Sequence, residues 1–375
     1  MKPGRYVIQT AAPPASLRNR LRKCINPRRC LSSGCRWFTD WEIVASIYDI
    51  AERAGVAPST VSRALRDHAR ISKETRTRIK QIADEMGFIP NSIAQSLVSQ
   101  RTRTVGVITA NLADPWVGAV IQGIEDAAHA AEYILILTTT KERRFRENAV
   151  VDVLQQRRVE GIIVVPVYEG SEEFDPGLTP TVLINEGLHL GPDHCWRLVA
   201  IDDKKSAGLA VDHLLELGHR RIAYVGSVRR PSSTRHRQEG YEAALRAAGV
   251  PVERDLIFYP ALQDDLSAGA SSLADVLGSG ATAVFCYNDI TAIGLLSECR
   301  RRAVGVPDVL SVVGFDDIET ARLVTPALTT VAQPRHALGQ TAMASLLRLV
   351  DGPGDEEHVY LSCKLVMRES TGRRL

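Results

Sequence analysis

The residues best equipped for chemistry stand in one short run, Pro58-Ser59-Thr60-Val61-Ser62-Arg63. An arginine can hold a guanine edge through two hydrogen bonds, so Arg63, with Ser59 beside it, is a candidate for reading bases. Thr60 and Ser62 suit phosphate oxygens, contacts that position a protein without specifying sequence. This chemistry needs a helix whose N-terminal half enters a major groove. The alternative is the ordinary polar surface of a small helical bundle.

The flanking residues predict such a helix. Ser46 is a good N-cap, and Asp49 three residues on complements the helix dipole. Ile47, Ile50 and Ala51 form an apolar face, Gly55 suits a turn of positive φ, and Pro58 suits the first turn of a second helix. Val61 and Leu65 point that helix inward. The spacing Ala51, Gly55, Val61 is that of a helix-turn-helix. A third helix starts after Ser72 and ends near Gly87, with Ile79, Ile82, Ala83 and Met86 facing the core. Charge agrees with a polyanionic partner. Residues 1–45 carry a balance of +7 and residues 46–103 of +4, while the remainder carries −9.

Four zones follow: a basic leader over 1–45, the helical head over 46–89, a connector over 90–103, and a body over 104–375. In the body, β-rich runs alternate with amphipathic stretches, the pattern of an α/β fold. Strands are expected at Val105–Thr109, Ile134–Thr138, Gly161–Pro166, Thr181–Ile184, Arg221–Val225, Ala283–Cys286 and Ser311–Gly314. Helices are expected near 117–131, 143–157, 204–217, 237–248, 267–277 and 289–302. Ligands of open α/β sheets sit beyond the carboxyl ends of strands. Four candidates lie there. Asn185 closes one strand, Asn288-Asp289 follows another, and Trp116 follows the first, where its ring could stack on a sugar or pack in a core or interface. No phosphate-cradling loop, dinucleotide fingerprint or nucleophile elbow is present, so no enzyme is expected.

The run Ile47 to Ala51, Ala54-Gly55-Val56, Thr60 to Leu65, Ser72 to Arg78 and Gly87 to Leu97 resembles the lactose-repressor (LacI) family. The resemblance extends over about residues 46–370. It implies a helix-turn-helix head on a two-lobed sensor of the periplasmic-binding-protein type. The expected function is transcription regulation, with repression the outcome by analogy. A homodimer would bind double-stranded operator DNA, controlled by a small effector between the lobes. The resemblance places Asn91 and Leu97 in a DNA-contacting hinge helix, with Leu97 as a minor-groove wedge; packing of Leu97 against Ile93 is the alternative. It assigns Arg237 to holding the effector, though a surface ion pair would also account for it. It assigns Asp289 to accepting bonds from ligand hydroxyls, though Asp289 could instead cap the following helix. Ala57 departs from the family, which usually has a capping Ser there.

A pentose, hexose, nucleoside or purine would each fit, as inducer or as corepressor. Two other classes stay open. A sugar-transport protein would need a signal peptide and has no use for the head; a sugar kinase would need a phosphate site. Scattered cysteines, seven in all, and the absence of a long apolar run fit a cytoplasmic protein. Cys24, Cys30 and Cys35 lack a fourth ligand and match no zinc spacing, so neither metal nor cofactor is expected. No tetramer-forming heptad tail is expected either. Val44 precedes the first helix directly, and a GTG codon there would start translation, leaving residues 1–43 non-native. An intact mass that includes them in the natively expressed protein would overturn this.

Overall fold

A computed structural model describes residues 45–88, 101–140, 147–165, 174–185, 190, 194–228, 231–262, 264–352 and 358–374. The leader with its three cysteines, Asn91, Leu97 and most of the connector lie outside the described residues. The chain divides into two compact units, Met1–Gln95 and Ser96–Leu375.

The described part of the first unit is a three-helix head of α1 (Ile47–Ala54), α2 (Pro58–Leu65) and α3 (Lys73–Glu85). Ser46 closes a full capping box: its hydroxyl accepts the Asp49 amide, and the Asp49 carboxylate accepts the Ser46 amide at 2.7 Å. Gly55 ends α1 at φ 67°, a conformation that favours glycine. Ile50, Ala51, Ala54, Val61, Ala64, Ile79 and Ala83 form the core, with Leu65, Ile82 and Met86 half-buried at its margin. Arg78 donates to the Ala54 carbonyl at 3.0 Å and so ties α3 to the end of α1.

The second unit is two α/β lobes. The first sheet has strand order β11-β5-β4-β3-β1-β2: β1 (Thr104–Thr109), β2 (Ile134–Thr139), β3 (Gly161–Val164), β4 (Thr181–Ile184), β5 (Trp196–Ile201) and β11 (Val359–Leu361). Its helices are α4 (Pro115–Ala130), α5 (Glu147–Gln156) and α10 (Arg335–Asp351). The second sheet has order β12-β10-β9-β8-β6-β7: β6 (Ile222–Val225), β7 (Ile257–Phe258), β8 (Ala283–Cys286), β9 (Ser311–Asp316), β10 (Thr329–Ala332) and β12 (Lys364–Val366). It carries α6 (Asp203–Glu216), α7 (Pro231–Ala247), α8 (Asp265–Gly278) and α9 (Asp289–Arg301). All strand pairs are parallel except β10 with β12. The chain passes between lobes after β5, after β10 and after β11.

The predicted strands all form, with ends shifted by one or two residues. β5, β7 and β10 to β12 complete the sheets, and α10 was absent from the expected helices. Helix pairs meet through glycines. A Cβ on Gly123 of α4 would lie 2.0 Å from the His336 carbonyl oxygen of α10, and one on Gly339 would lie 2.1 Å from the Val120 carbonyl oxygen. Gly269 and Gly294 make the same close approach between α8 and α9. His219 is buried between Thr282 Oγ1 (2.9 Å) and the Gly372 carbonyl (3.0 Å), where it clasps the C-terminal segment.

Because backbone cannot yield like a side chain, Gly123→Ala is expected to force α4 and α10 apart and cost about 1–3 kcal/mol. Urea unfolding checks this; a midpoint equal to that of the wild type would show that the crossing is loose.

Candidate functional site

On the head, Ser59 and Arg63 are exposed, and Thr60 and Ser62 are half-buried. All four stand on α2, whose cap position is Ala57 without a side-chain bond. Ser62 is not free: its hydroxyl accepts from Arg66 Nη2 at 2.8 Å and its carbonyl from Arg66 Nε at 3.0 Å. Arg66, not singled out from sequence, thus adds a second cation to this helix end.

In the second unit, a solvent-open cleft with about 350 Å³ of free space lies between the lobes. Trp116, Asn185, Arg237 and Asn288 all line it, so four of the five effector candidates come together. Asp114, Ser233, Tyr287, Asp316 and Gln333 complete the described lining. Asp316 and Gln333 follow the placement rule already used, since they stand at the carboxyl ends of β9 and β10.

Arg237 is buried and heavily engaged. Its Nε donates to Asp203 Oδ1 at 2.7 Å, its Nη1 to the Tyr287 carbonyl, and Asp316 Oδ1 lies 3.6 Å from Nη1. Its guanidinium carbon sits 3.8 Å from the centre of the Phe315 ring. Burial alone would lower its pKa, but Asp203 and Asp316 outweigh that and hold it above the usual value. Asp316 also accepts from Gln333 Nε2 at 2.6 Å.

Three lining atoms are buried without a hydrogen-bond partner: Trp116 Nε1, Asn185 Oδ1 and Gln333 Oε1. Such atoms are costly when left unmet. Trp116 packs in the first lobe's core and also lines the cleft, so packing and ligand contact are compatible. Asn185 holds a left-handed backbone (φ 60°) just beyond β4, which turns it out of the strand.

Asp289 departs from both expectations. The cap of α9 is Asn288, whose Oδ1 accepts the Thr291 amide at 2.8 Å while its Nδ2 donates to Asp265. Asp289, fully buried and outside the described lining, accepts the Ile318 amide at 2.9 Å and the Thr330 hydroxyl at 2.5 Å. It braces the loop after β9 against β10. As the residue after the cap it points into the lobe. The carboxylates among the described lining residues are Asp114 and Asp316. Among the described residues no His/Cys/Asp/Glu group could hold a metal ion.

Comparison with known proteins gives this arrangement its context. Residues 46–91 match the model of bacterial regulatory proteins, lacI family, and residues 211–371 match a periplasmic binding protein-like domain. The chain is 32% identical over 341 residues to the HTH-type transcriptional repressor CytR of Escherichia coli K12, covering 88% of this chain and 97% of CytR. The chain belongs to the LacI family. Another member, the transcriptional regulator GalR of Salmonella typhimurium, is 32% identical over 87% of this chain and 96% of GalR. Among solved structures, the Lac repressor dimer bound to operator and an anti-inducer matches with TM-score 0.76 at 25% identity, covering 88% of this chain and 99% of that one. The CelR–cellobiose complex matches with TM-score 0.65 at 25% identity, covering 87% and 99%. This LacI-family regulator therefore has a helix-turn-helix head and a two-lobed α/β sensor.

Burial pushes the Asp289 carboxyl well above the usual carboxylate range, and neighbouring Asp316 adds to the push. A raised folded-state pKa means stability is full below the unfolded value of about 3.9 and falls as pH rises through the folded value. Asparagine can accept from Ile318 and donate to Thr330 without that charge. Asp289→Asn should therefore gain on the wild type in urea unfolding as pH rises above about 3.9. A gap that stays flat or reverses from there upward would contradict a raised pKa.

Proposed function

We propose that this regulator is a cytoplasmic homodimeric repressor whose two heads bind halves of an operator and whose cleft binds an uncharged, hydroxyl-rich effector, a carbohydrate or nucleoside. The observation that carries the effector half is the trio of unpartnered buried atoms. An indole N–H calls for an acceptor, and two amide oxygens call for donors, a demand that hydroxyls meet from either side. Asp316 adds a strong acceptor for hydroxyls, and the face of Trp116 suits the apolar side of a sugar or base. Among the described lining residues the cation Arg237 is already balanced by Asp203 and Asp316, which disfavours an anionic ligand. The ligands named with relatives, cellobiose in the CelR complex and ribose in a regulator from Enterococcus faecium, are of the same chemistry.

The operator half rests on the exposed Ser59 in the first turn of α2 and Arg63 in its last, and on the operator bound by the Lac repressor dimer. Asn91 and Leu97 are proposed as hinge contacts on the family resemblance alone. A second copy of the chain would cover the exposed Ile134 and Leu137 on the outer strand β2 and Tyr259, Leu262 and Leu266 beside the outer strand β7. No helix among the described residues is long and apolar enough to cross a membrane.

Arg63→Ala should cost about 1–3 kcal/mol in operator binding and relax preference at one base pair. Equal loss on every DNA sequence would show that Arg63 only touches phosphate. Trp116→Phe keeps the ring face but removes the N–H, and should weaken effector binding by about 1 kcal/mol with unchanged operator affinity of the free protein. Calorimetry with the best ligand from a thermal-shift screen of sugars and nucleosides reads this; unaltered affinity would remove Trp116 from the site.

A further inference from the structure

Two helices span the first lobe from the cleft to the segment that enters it from the connector. α4 begins beside cleft-lining Asp114 and Trp116, and α10 begins two residues after cleft-lining Gln333. Just beyond the other end of α4, Glu132 pairs with Arg103. The last residue of α10, Asp351, pairs with Arg101 at 2.8 Å. Between these ends, the helices touch backbone to backbone at Gly123 and Gly339, and Asp126 meets His336 at 2.7 Å. At 1.5 Å per residue each helix is about 25 Å long.

The segment 101–103 is held in more ways. The Arg103 amide donates to Glu160 Oε1 at 2.6 Å, Tyr133 donates to Glu160 Oε2 at 2.8 Å, and Thr102 donates to the Arg158 carbonyl at 2.6 Å. Each of these anchors belongs to the first lobe or its helices. The chain thus enters the sensor on a clamp attached directly to the far ends of the two helices whose near ends face the cleft.

We infer that α4 and α10 act as one strut that transmits effector occupancy to the DNA-binding segment, with Arg101–Asp351 as its output contact. This rests on the reading that the cleft holds the effector. The near ends carry two of the three unpartnered atoms, on Trp116 and Gln333. A ligand that engages both fixes the two helices against the second lobe, because Gln333 is also bonded to Asp316 of that lobe. The crossing has no room for the helices to slide independently, so a displacement at one end is delivered at the other. Asp351 and Arg101 are positioning residues: neither lines the cleft.

The pair is exposed, so its removal should leave the fold intact. Calorimetry measures binding of cytidine, adenosine, ribose, galactose and cellobiose to the wild type, D351N, R101Q and the swapped R101D/D351R protein. Operator affinity is then measured with and without the ligand that binds. D351N and R101Q should bind that ligand within about twofold of the wild type, while the ligand-induced change in operator affinity shrinks by about threefold or more. The swapped pair should recover part of the change. Intact ligand binding with an undiminished operator response in both single variants overturns the strut and leaves the cleft reading standing. Binding of none of these compounds to the wild type overturns the cleft reading, and the strut with it.

Discussion

A guanidinium taken out of water must be met on nearly every side, and the second lobe is arranged around meeting one. Arg237, on α7, draws in Asp203 from the start of α6, the Tyr287 carbonyl from the end of β8, and Phe315 with Asp316 from the end of β9. Those elements are separated widely in sequence, and each reaches the cleft through this one charge. Asp203 follows the first passage between lobes, and Asp316 holds Gln333 at the second. The same network therefore fixes the wall of the cleft and two of the three passages between the lobes.

With the wall set, the cleft has a defined chemistry. The charge of Arg237 is met by Asp203 and Asp316, and the described lining residues carry three unmet atoms, an indole N–H and two amide oxygens. Trp116 and Asn185 come from the first lobe, while Arg237, Asn288 and Asp316 come from the second. A ligand bound there as proposed would bridge the lobes, and its contacts would change with their arrangement. That difference is the physical requirement for control by a ligand.

Local signals made the head legible. Ser46, Gly55, Pro58 and Ser72 each mark a helix boundary by their own chemistry, and the structure places caps, turn and starts at those residues. Seven strands of the body were legible as apolar runs, whereas β5, β7 and β10 to β12 were not expected. The helix α10 was not among the helices expected from sequence. Its contacts explain its form: one side meets α4 at glycines while its apolar face covers β3 to β5 of the same first lobe. Asp289 and Asp316 show the limit at the cleft. Both are acids at the carboxyl ends of neighbouring strands, and only the fold distinguishes them. Asp289 is drawn inward by Ile318 and Thr330, whereas Asp316, in an unusual backbone conformation at φ 119°, faces Arg237 and the opening.

Reciprocity is the most direct check on control of DNA binding from this cleft. Effector affinity would be measured by calorimetry on the free dimer and on the dimer saturated with operator. The two values should differ by the same factor by which saturating effector changes operator affinity. Equal effector affinities in the two states would mean that whatever fills the cleft has no say over the head.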